Sequence, residues 1–386
     1  MNRLQKISLF NMPSARREIV IPLKDECNIL VFTGYNGVGK SRVLSAVVEM
    51  LSLARGVNYN DMSKNWLMQL EFEGGYKFRG CKIDTQGRSR KKDYEAKVEK
   101  LLAVEQSLNK SYDQIIKATF TDRKLGTYAS KSGDDDLRSF CALHLNDPPG
   151  GDQLSFVESV KVVGFINDKV ILGADRPEDE AVFDKDVLEG DLNKTLYVMI
   201  KEFISTQAVK AGVEEEIGKY VFEYLAAQNI EKPSESDLKN VKAFVSEKLK
   251  DRNLVEEDSS VFSQHAMFVE INKIFSLTSR KLVYVHGSLC IELKDGKVIG
   301  WLELSRGEKT LLALFLIVFL NRDGALFVLD EPDLSLHMEW QKMILPALLK
   351  LAPACQFIVA THSPFLVMNT GSEQVINMAK LISEAI

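Results

Sequence analysis

Gly34-Tyr-Asn-Gly-Val-Gly-Lys-Ser41 stands between an apolar run, Asn28 to Thr33, and a segment in which Val43, Val47, Met50, Leu51 and Ala54 recur at helical spacing up to Gly56. A strand, a glycine-punctuated loop and a helix in that order match G-x-x-x-x-G-K-S in the context the pattern needs. Glycines let successive backbone N–H groups turn inward on a phosphate, and the new helix adds the positive end of its dipole. Gly34, Asn36, Gly37, Gly39, Lys40, Ser41 and Arg42 are the candidate nucleotide contacts. Lys40 is expected at the β- and γ-phosphates and the Ser41 hydroxyl on Mg²⁺. The fold class expected is α/β, with a phosphate loop at the end of a buried parallel strand.

Ala325-Leu-Phe-Val-Leu-Asp-Glu-Pro332 is a second apolar strand, ending in two carboxylates. Open α/β sheets place their ligand chemistry at such strand ends. Asp330 is the candidate metal ligand, and Glu331 the candidate catalytic group that polarises the attacking water. Leu304-Ser-Arg-Gly-Glu-Lys309 opens the apolar helix Leu311 to Leu320, and Thr361-His362-Ser363-Pro364 follows the apolar strand Gln356 to Ala360. Read alone, Ser305 is an ordinary helix N-cap and His362 an ordinary strand-end histidine.

In their chain order, phosphate loop, signature, acidic strand and histidine, the four motifs resemble an ABC-type ATPase head, a P-loop NTPase architecture, of the branch that holds SMC, RecF and OLD proteins. The resemblance covers roughly residues 1–85 and 280–386. It implies ATP and Mg²⁺ as ligands and His362 as the switch histidine at the γ-phosphate. It also implies that Ser305, Arg306, Gly307 and Glu308 form a signature acting on the nucleotide of a partner subunit. Two chains would then pair head to tail, as a dimer or within a higher homo-oligomer. Asp333-Leu-Ser-Leu-His337 resembles the segment that follows the acidic strand in OLD-like ATPases, and His337 stands about where transporters carry a D-loop aspartate.

Organisation along the chain supports two ends of one ATPase domain, 1–86 and 280–386, around a mainly helical insert or lid, 87–279. Short apolar runs at Leu4–Phe10 and Ile19–Leu23 predict strands, and Trp66–Phe72 with Tyr76–Ile83 predicts a hairpin around Gly74-Gly75. A short helix with coiled-coil tendencies is expected across Val98 to Ile115. Pro148-Pro149-Gly150-Gly151 is the clearest break, and Val160–Leu172 reads as extended. Amphipathic helices follow around Leu196–Ile204, Ile217–Leu225 and Val241–Leu249. Asp295-Gly296 predicts a hairpin turn, and Glu373–Met378 the last strand of the ATPase.

Composition narrows the functional classes. A net charge of −5 argues against a wholesale nucleic-acid footprint. Five scattered cysteines offer neither a zinc site nor a disulfide framework. The run Leu311–Leu320 is about half of the roughly 20 residues a bilayer span needs, so a cytoplasmic location without membrane is expected.

The long stretch between Ser41 and Ser305, and Glu308 where transporters carry glutamine, argue against a transporter subunit. The insert is too short and interrupted for SMC coiled coils. No Toprim domain is expected after the last strand, so the resemblance narrows to stand-alone ATPases of anti-phage defence operons. It implies a separate effector such as a Toprim or HNH nuclease. The alternative is a RecF-like ATPase that clamps DNA in repair or recombination, for which Arg88-Ser-Arg-Lys-Lys92 is the candidate backbone contact. The acidic runs Asp134–Asp136 and Glu178–Glu180 read as solvated loops, and Gln69 and Gln86 are weak candidates for a Q-loop glutamine.

Overall fold

The computed structural model describes residues 3–9, 18–24, 27–55, 66–84, 126–132, 136–146, 148, 151–166, 169–172, 191–210, 220, 224, 240–241, 244–245, 265–285, 288–368 and 375–385. The chain forms two compact units, one from Met1–Phe183 with Asn321–Ile386 and the other from Asp184–Leu320.

The first unit begins with β1 (Leu4–Leu9), β2 (Ile19–Pro22), β3 (Ile29–Thr33), α1 (Lys40–Ala54), β4 (Trp66–Phe72) and β5 (Lys77–Asp84). It continues through β6 (Gly126–Ser132), β7 (Asp136–Asn146), α2 (Gln153–Ser159), β8 (Lys161–Ile166) and β9 (Lys169–Leu172). The second unit holds α3 (Asp191–Lys210), α4 (Ala266–Phe275), β10 (Lys281–Val285), β11 (Ser288–Glu292), β12 (Val298–Gly300) and α5 (Arg306–Leu320). The chain then returns to the first unit with β13 (Ala325–Asp330), α6 (Met338–Leu351), β14 (Gln356–Ala360), α7 (Pro364–Val367), β15 (Val375–Asn377) and α8 (Met378–Glu384).

One sheet of the first unit has the order β15-β3-β14-β13-β8-β9. It is parallel except at β9, which runs antiparallel to β8. Its central strands are apolar without alternation because helices and a second sheet cover both faces, and β14 is buried at every residue. The second sheet is antiparallel, in the order β2-β1-β4-β5-β7-β6. Its β4–β5 hairpin turns at Gly74, as expected, with φ at 80°.

The phosphate-loop helix α1 lies in the core shared by the two sheets. Val43, Val47, Met50 and Leu51 join one apolar cluster with Ile7, Trp66 and Leu70 of the antiparallel sheet and Val328 and Ile358 of the parallel sheet. An ion pair is buried there: Glu49 of α1 pairs with Lys82 of β5 and accepts from the Trp66 indole at 2.8 Å. Burying an ion pair is favourable only when its remaining valences are met, and the indole meets one of them. Gln356 at the start of β14 adds a polar tie, bonding both the N–H and the carbonyl of Leu4 in β1.

In the second unit, α5 is apolar around nearly its whole circumference and is buried accordingly. Phe319 of α5, Phe203 of α3 and His265 before α4 meet edge to face, with ring centroids 4.6 to 5.6 Å apart. The Asn272 side chain bonds both backbone groups of Leu282, joining α4 to β10. The turn at Asp295-Gly296 closes the β11–β12 pair, with Gly296 at φ 79°.

The segment 87–279 differs from a mainly helical insert. Its extended run Val160–Leu172 becomes β8 and β9, and β8 pairs in parallel with β13 inside the sheet that carries the phosphate loop. An apolar run of that length fits a buried central strand as well as an inserted hairpin, and only the pairing distinguishes them. The signature helix α5 belongs to the compact unit of α3 rather than to that of the phosphate loop. The helix expected across Val98–Ile115, the basic run Arg88–Lys92, Gln86, most of Ile217–Leu225 and Val241–Leu249, and the acidic run Glu178–Glu180 lie outside the described residues. So do Asp134 and Asp135.

Candidate nucleotide site

The site of the first unit lies at the C-terminal edge of the parallel sheet, where three neighbouring strands end in its residues. The chain leaves β3 at Thr33 and passes through Gly34, Gly37 and Gly39 at φ 128°, 82° and 92°. These left-handed angles are accessible to glycine at no steric cost, and they turn the loop around a concavity. Gly34 is also hemmed in, since a Cβ there would meet the backbone nitrogen of Ala379 at 3.3 Å and Asn377 Oδ1 at 3.4 Å. Asn377 caps α8, its side chain accepting from the N–H groups of Ala379 and Lys380. The loop therefore rests against the N-terminus of α8.

Lys40 opens α1 and is 4% exposed. Its ammonium donates to the carbonyls of Gly34 and Tyr35 at 3.0 and 3.3 Å, and its Nζ lies 2.7 Å from His362 Nε2. Burial pulls its pKa below the usual lysine value, against the opposing pull of Glu331 and Asp330. The next residue, Ser41, donates its hydroxyl to Asp330 Oδ1 at 3.1 Å. Burial holds the Asp330 carboxyl above its ordinary range, the Ser41 hydrogen bond offsets part of this, and the charge of Glu331 adds to it. Arg42, one position on, has its guanidinium pKa lowered by burial.

A hydroxyl and a carboxylate that converge at the phosphate-loop end fit the oxygen-rich, partly hydrated sphere that Mg²⁺ takes. The glycine loop and buried ammonium likewise fit a phosphate chain. Among the described residues no cluster of three or more His, Cys, Asp or Glu side chains forms an all-protein metal cage.

Glu331 directly follows β13 with φ 47°, a left-handed angle that costs a non-glycine residue and persists where surroundings impose it. Its N–H donates to Ala360 O at 2.8 Å and its carbonyl accepts from Leu334 N–H at 3.2 Å. The carboxylate is thereby turned beside His362, with 3.4 Å between Oε1 and Nε2. Asp333, which the sequence reading took only as part of a longer segment, is buried and accepts from the Thr361 hydroxyl at 2.8 Å. His337 caps α6, its Nδ1 accepting from Glu339 N–H at 3.5 Å. Gln69 lies in β4 and is occupied by Glu71 and Arg79.

The signature residues lie in the second unit. Ser305 precedes α5 and forms a capping box with Glu308. The carboxylate of Glu308 accepts from Ser305 N–H at 2.8 Å and Ser305 Oγ at 2.7 Å, while Ser305 Oγ faces Glu308 N–H at 3.4 Å. Glu308 is 2% exposed and pairs through its other oxygen with Arg280, a partner that no sequence motif pointed to. Arg306 and Gly307 form the first turn of α5.

Residues 200–369 match the family model described as AAA domain, putative AbiEii toxin, Type IV TA system. The chain is 38% identical over 104 residues to a Vibrio cholerae protein named Retron Vc95 probable ATPase, covering 24% of this chain and 20% of that protein. It is 40% identical over 94 residues to the Escherichia coli Retron Ec83 probable ATPase, covering 21% and 17% respectively. The chain thus spans about a fifth or less of the length of these curated relatives. Among solved structures, the SMC head domain from Thermotoga maritima superposes with a TM-score of 0.37 at 14% identity, covering 95% of this chain and 91% of that one. The Smc head domain with a coiled coil and joint from Pyrococcus yayanosii gives 0.41 at 13% identity, covering 100% of each. No helix among the described residues is long and apolar enough to cross a membrane. The motif order and the parallel sheet that carries it agree with that family match, which spans residues 200–369, in giving the chain the fold of a P-loop ATPase.

Proposed function

We propose that the protein hydrolyses ATP with Mg²⁺ at composite sites between two copies of the chain. In this reading the cycle is a switch that governs a separate effector, such as a Toprim or HNH nuclease, in anti-phage defence. The observation that carries the hydrolytic part is the meeting, at one sheet edge, of Lys40 with His362, of His362 with Glu331 and of Ser41 with Asp330, each pair 2.7 to 3.4 Å apart. The retron ATPases named above support the defence setting.

The chain's own groups divide the work. Backbone N–H groups of residues 34–40 hold the phosphate chain, and the Lys40 ammonium leaves its carbonyl partners for the β- and γ-oxygens. Ser41 and Asp330 would hold the metal, which when bound neutralises charge on those oxygens. Glu331 orients a water and takes its proton as the water oxygen bonds to the γ-phosphorus. The bond from that phosphorus to the β-bridging oxygen breaks, leaving ADP and phosphate. His362 meets the γ-phosphate once Lys40 has moved. Ser305 and the first turn of α5 belong to a different compact unit from the phosphate loop, which suits a signature that completes the site of a second copy.

Phosphate release with and without Mg²⁺, together with ATP titration calorimetry, tests the reading. Wild type should turn over only with the metal, and Lys40→Ala should lose most of its ATP affinity. Metal-independent turnover, or undiminished affinity in Lys40→Ala, would contradict it.

A further inference from the structure

Glu331 and His362 are carried by different loops, one after β13 and one after β14. Parallel pairing holds the strands together as far as Asp330 opposite Ala360, and beyond that point the ladder ends. Polar side chains take over where it stops. The Thr361 hydroxyl donates to Asp333 Oδ1 at 2.8 Å and accepts from Ser363 N–H at 2.9 Å. Gln341, in the first turns of α6, donates through Nε2 to the carbonyls of Asp333 and Leu336 at 3.0 and 2.9 Å. Its Oε1 accepts from the Ser363 hydroxyl at 2.6 Å, and Ser363 Oγ in turn accepts from Phe365 N–H at 3.2 Å.

Two features distinguish this set from ordinary loop packing. The ties grip Thr361 and Ser363, the residues on either side of His362, so the backbone at 362 is held from both directions. The bonds also run in one sense only. An amide whose nitrogen faces two carbonyls and whose oxygen faces a hydroxyl has no alternative orientation. Asp333 and Thr361 are 5% and 0% exposed, so water does not substitute for a lost partner.

We infer that Asp333, Thr361, Gln341 and Ser363 form a clamp that sets the separation of Glu331 and His362, making them positioning residues for the reaction. The inference rests on the hydrolytic role proposed for that pair. The clamp's members stand next to His362 and two residues from Glu331 in sequence, and their hydrogen bonds run to neither side chain. The clamp acts on reaction geometry rather than on nucleotide affinity, because none of its members belongs to the phosphate loop.

Thr361→Val removes the hydroxyl at nearly constant volume, and Thr361→Ser keeps it. Gln341→Glu keeps the shape of the side chain but replaces the donor to the two carbonyls with an acceptor. Thr361→Val and Gln341→Glu should each lower kcat at least about tenfold, since misplacement of a reacting group by about 1 Å costs on the order of 10²-fold. ATP affinity should stay within about threefold of wild type, and Thr361→Ser should restore kcat. A second readout uses no turnover: the imidazole NMR resonances of His362, identified by their loss in His362→Gln, should move in Thr361→Val and return in Thr361→Ser. Unmoved His362 resonances in Thr361→Val, or equal kcat losses in the valine and serine variants, overturn the clamp. Absence of turnover in wild type would instead overturn the hydrolytic reading, with the resonances still deciding the clamp.

Discussion

Lys40 Nζ and His362 Nε2 lie 2.7 Å apart. An ammonium has protons and no lone pair, so while Lys40 is charged the histidine nitrogen facing it is the acceptor. Glu331 Oε1 lies 3.4 Å from the same nitrogen. The ammonium that should hold the γ-phosphate is thus engaged by the histidine that should sense it. His362→Ala frees Lys40, so ATP affinity should stay within about threefold of wild type or tighten. Hydrolysis should fall at least tenfold, a modest share of what one polar contact to developing charge can contribute, roughly 10²–10³. Titration calorimetry beside steady-state turnover separates the two, and a large loss of affinity would place His362 in ground-state binding instead.

Glu331→Gln keeps the size and the left-handed backbone site but removes the proton acceptor. Turnover should drop by roughly 10²–10⁴, the usual contribution of a general base. Mg²⁺-dependent ATP binding should persist through Ser41 and Asp330. Turnover within about threefold of wild type would mean that the base lies elsewhere.

Ser305→Arg should abolish hydrolysis while leaving ATP binding to the phosphate loop largely intact. Mixed with Lys40→Ala, itself inactive, it should regain activity, because a mixed pair holds one site with an intact Lys40 and an intact Ser305 from the other chain. Activity against mixing ratio, with mass by light scattering, makes the measurement. No recovery at any ratio, with both variants folded and pairing, would refute the shared site.

Asp333 provides a pH test. Burial, with a smaller push from Glu331, raises its carboxyl above the ordinary range, and the Thr361 hydrogen bond and the nearby His362 offset only part of that. A folded-state pKa above the unfolded one means that stability is fully present below the unfolded value, about 3.9, and declines as pH rises through the folded value. Asp333→Asn escapes that decline while still offering Thr361 an acceptor. The nucleotide-free variant should melt about 2 °C or more above wild type at pH 7, with the gap closing toward pH 4. A gap that is constant with pH would show that titration of Asp333 is not its cause.

The parts of the site legible in sequence are those built from neighbours along the chain. Gly34 to Ser41 is read from glycine spacing because the loop makes its own cavity, and Ser305 is read as an N-cap because a helix start is marked by its own neighbours. Asp330 and Glu331 are read from an apolar strand ending in charge. The pairing of β8 with β13 was hidden, since an apolar run shows burial without naming its neighbour. Thr361 with Asp333, Ser363 with Gln341, and Arg280 with Glu308 are hidden for the same reason. Each joins residues that carry no mutual signal until the strands and helices beneath them are placed.

The order of strands around β3 sets a constraint on how the molecule is made. β3 carries the phosphate loop, yet its two neighbours in the sheet are β14 and β15, and Gly34 rests against the start of α8. All three come from the far end of the chain, so the contacts around β3 are among its most distant in sequence and form late. A nascent chain exposing residues 29–41 has the glycines and the lysine but neither wall of the cleft that holds them. The cleft around the phosphate loop is therefore completed only once residues 356–384 have left the ribosome.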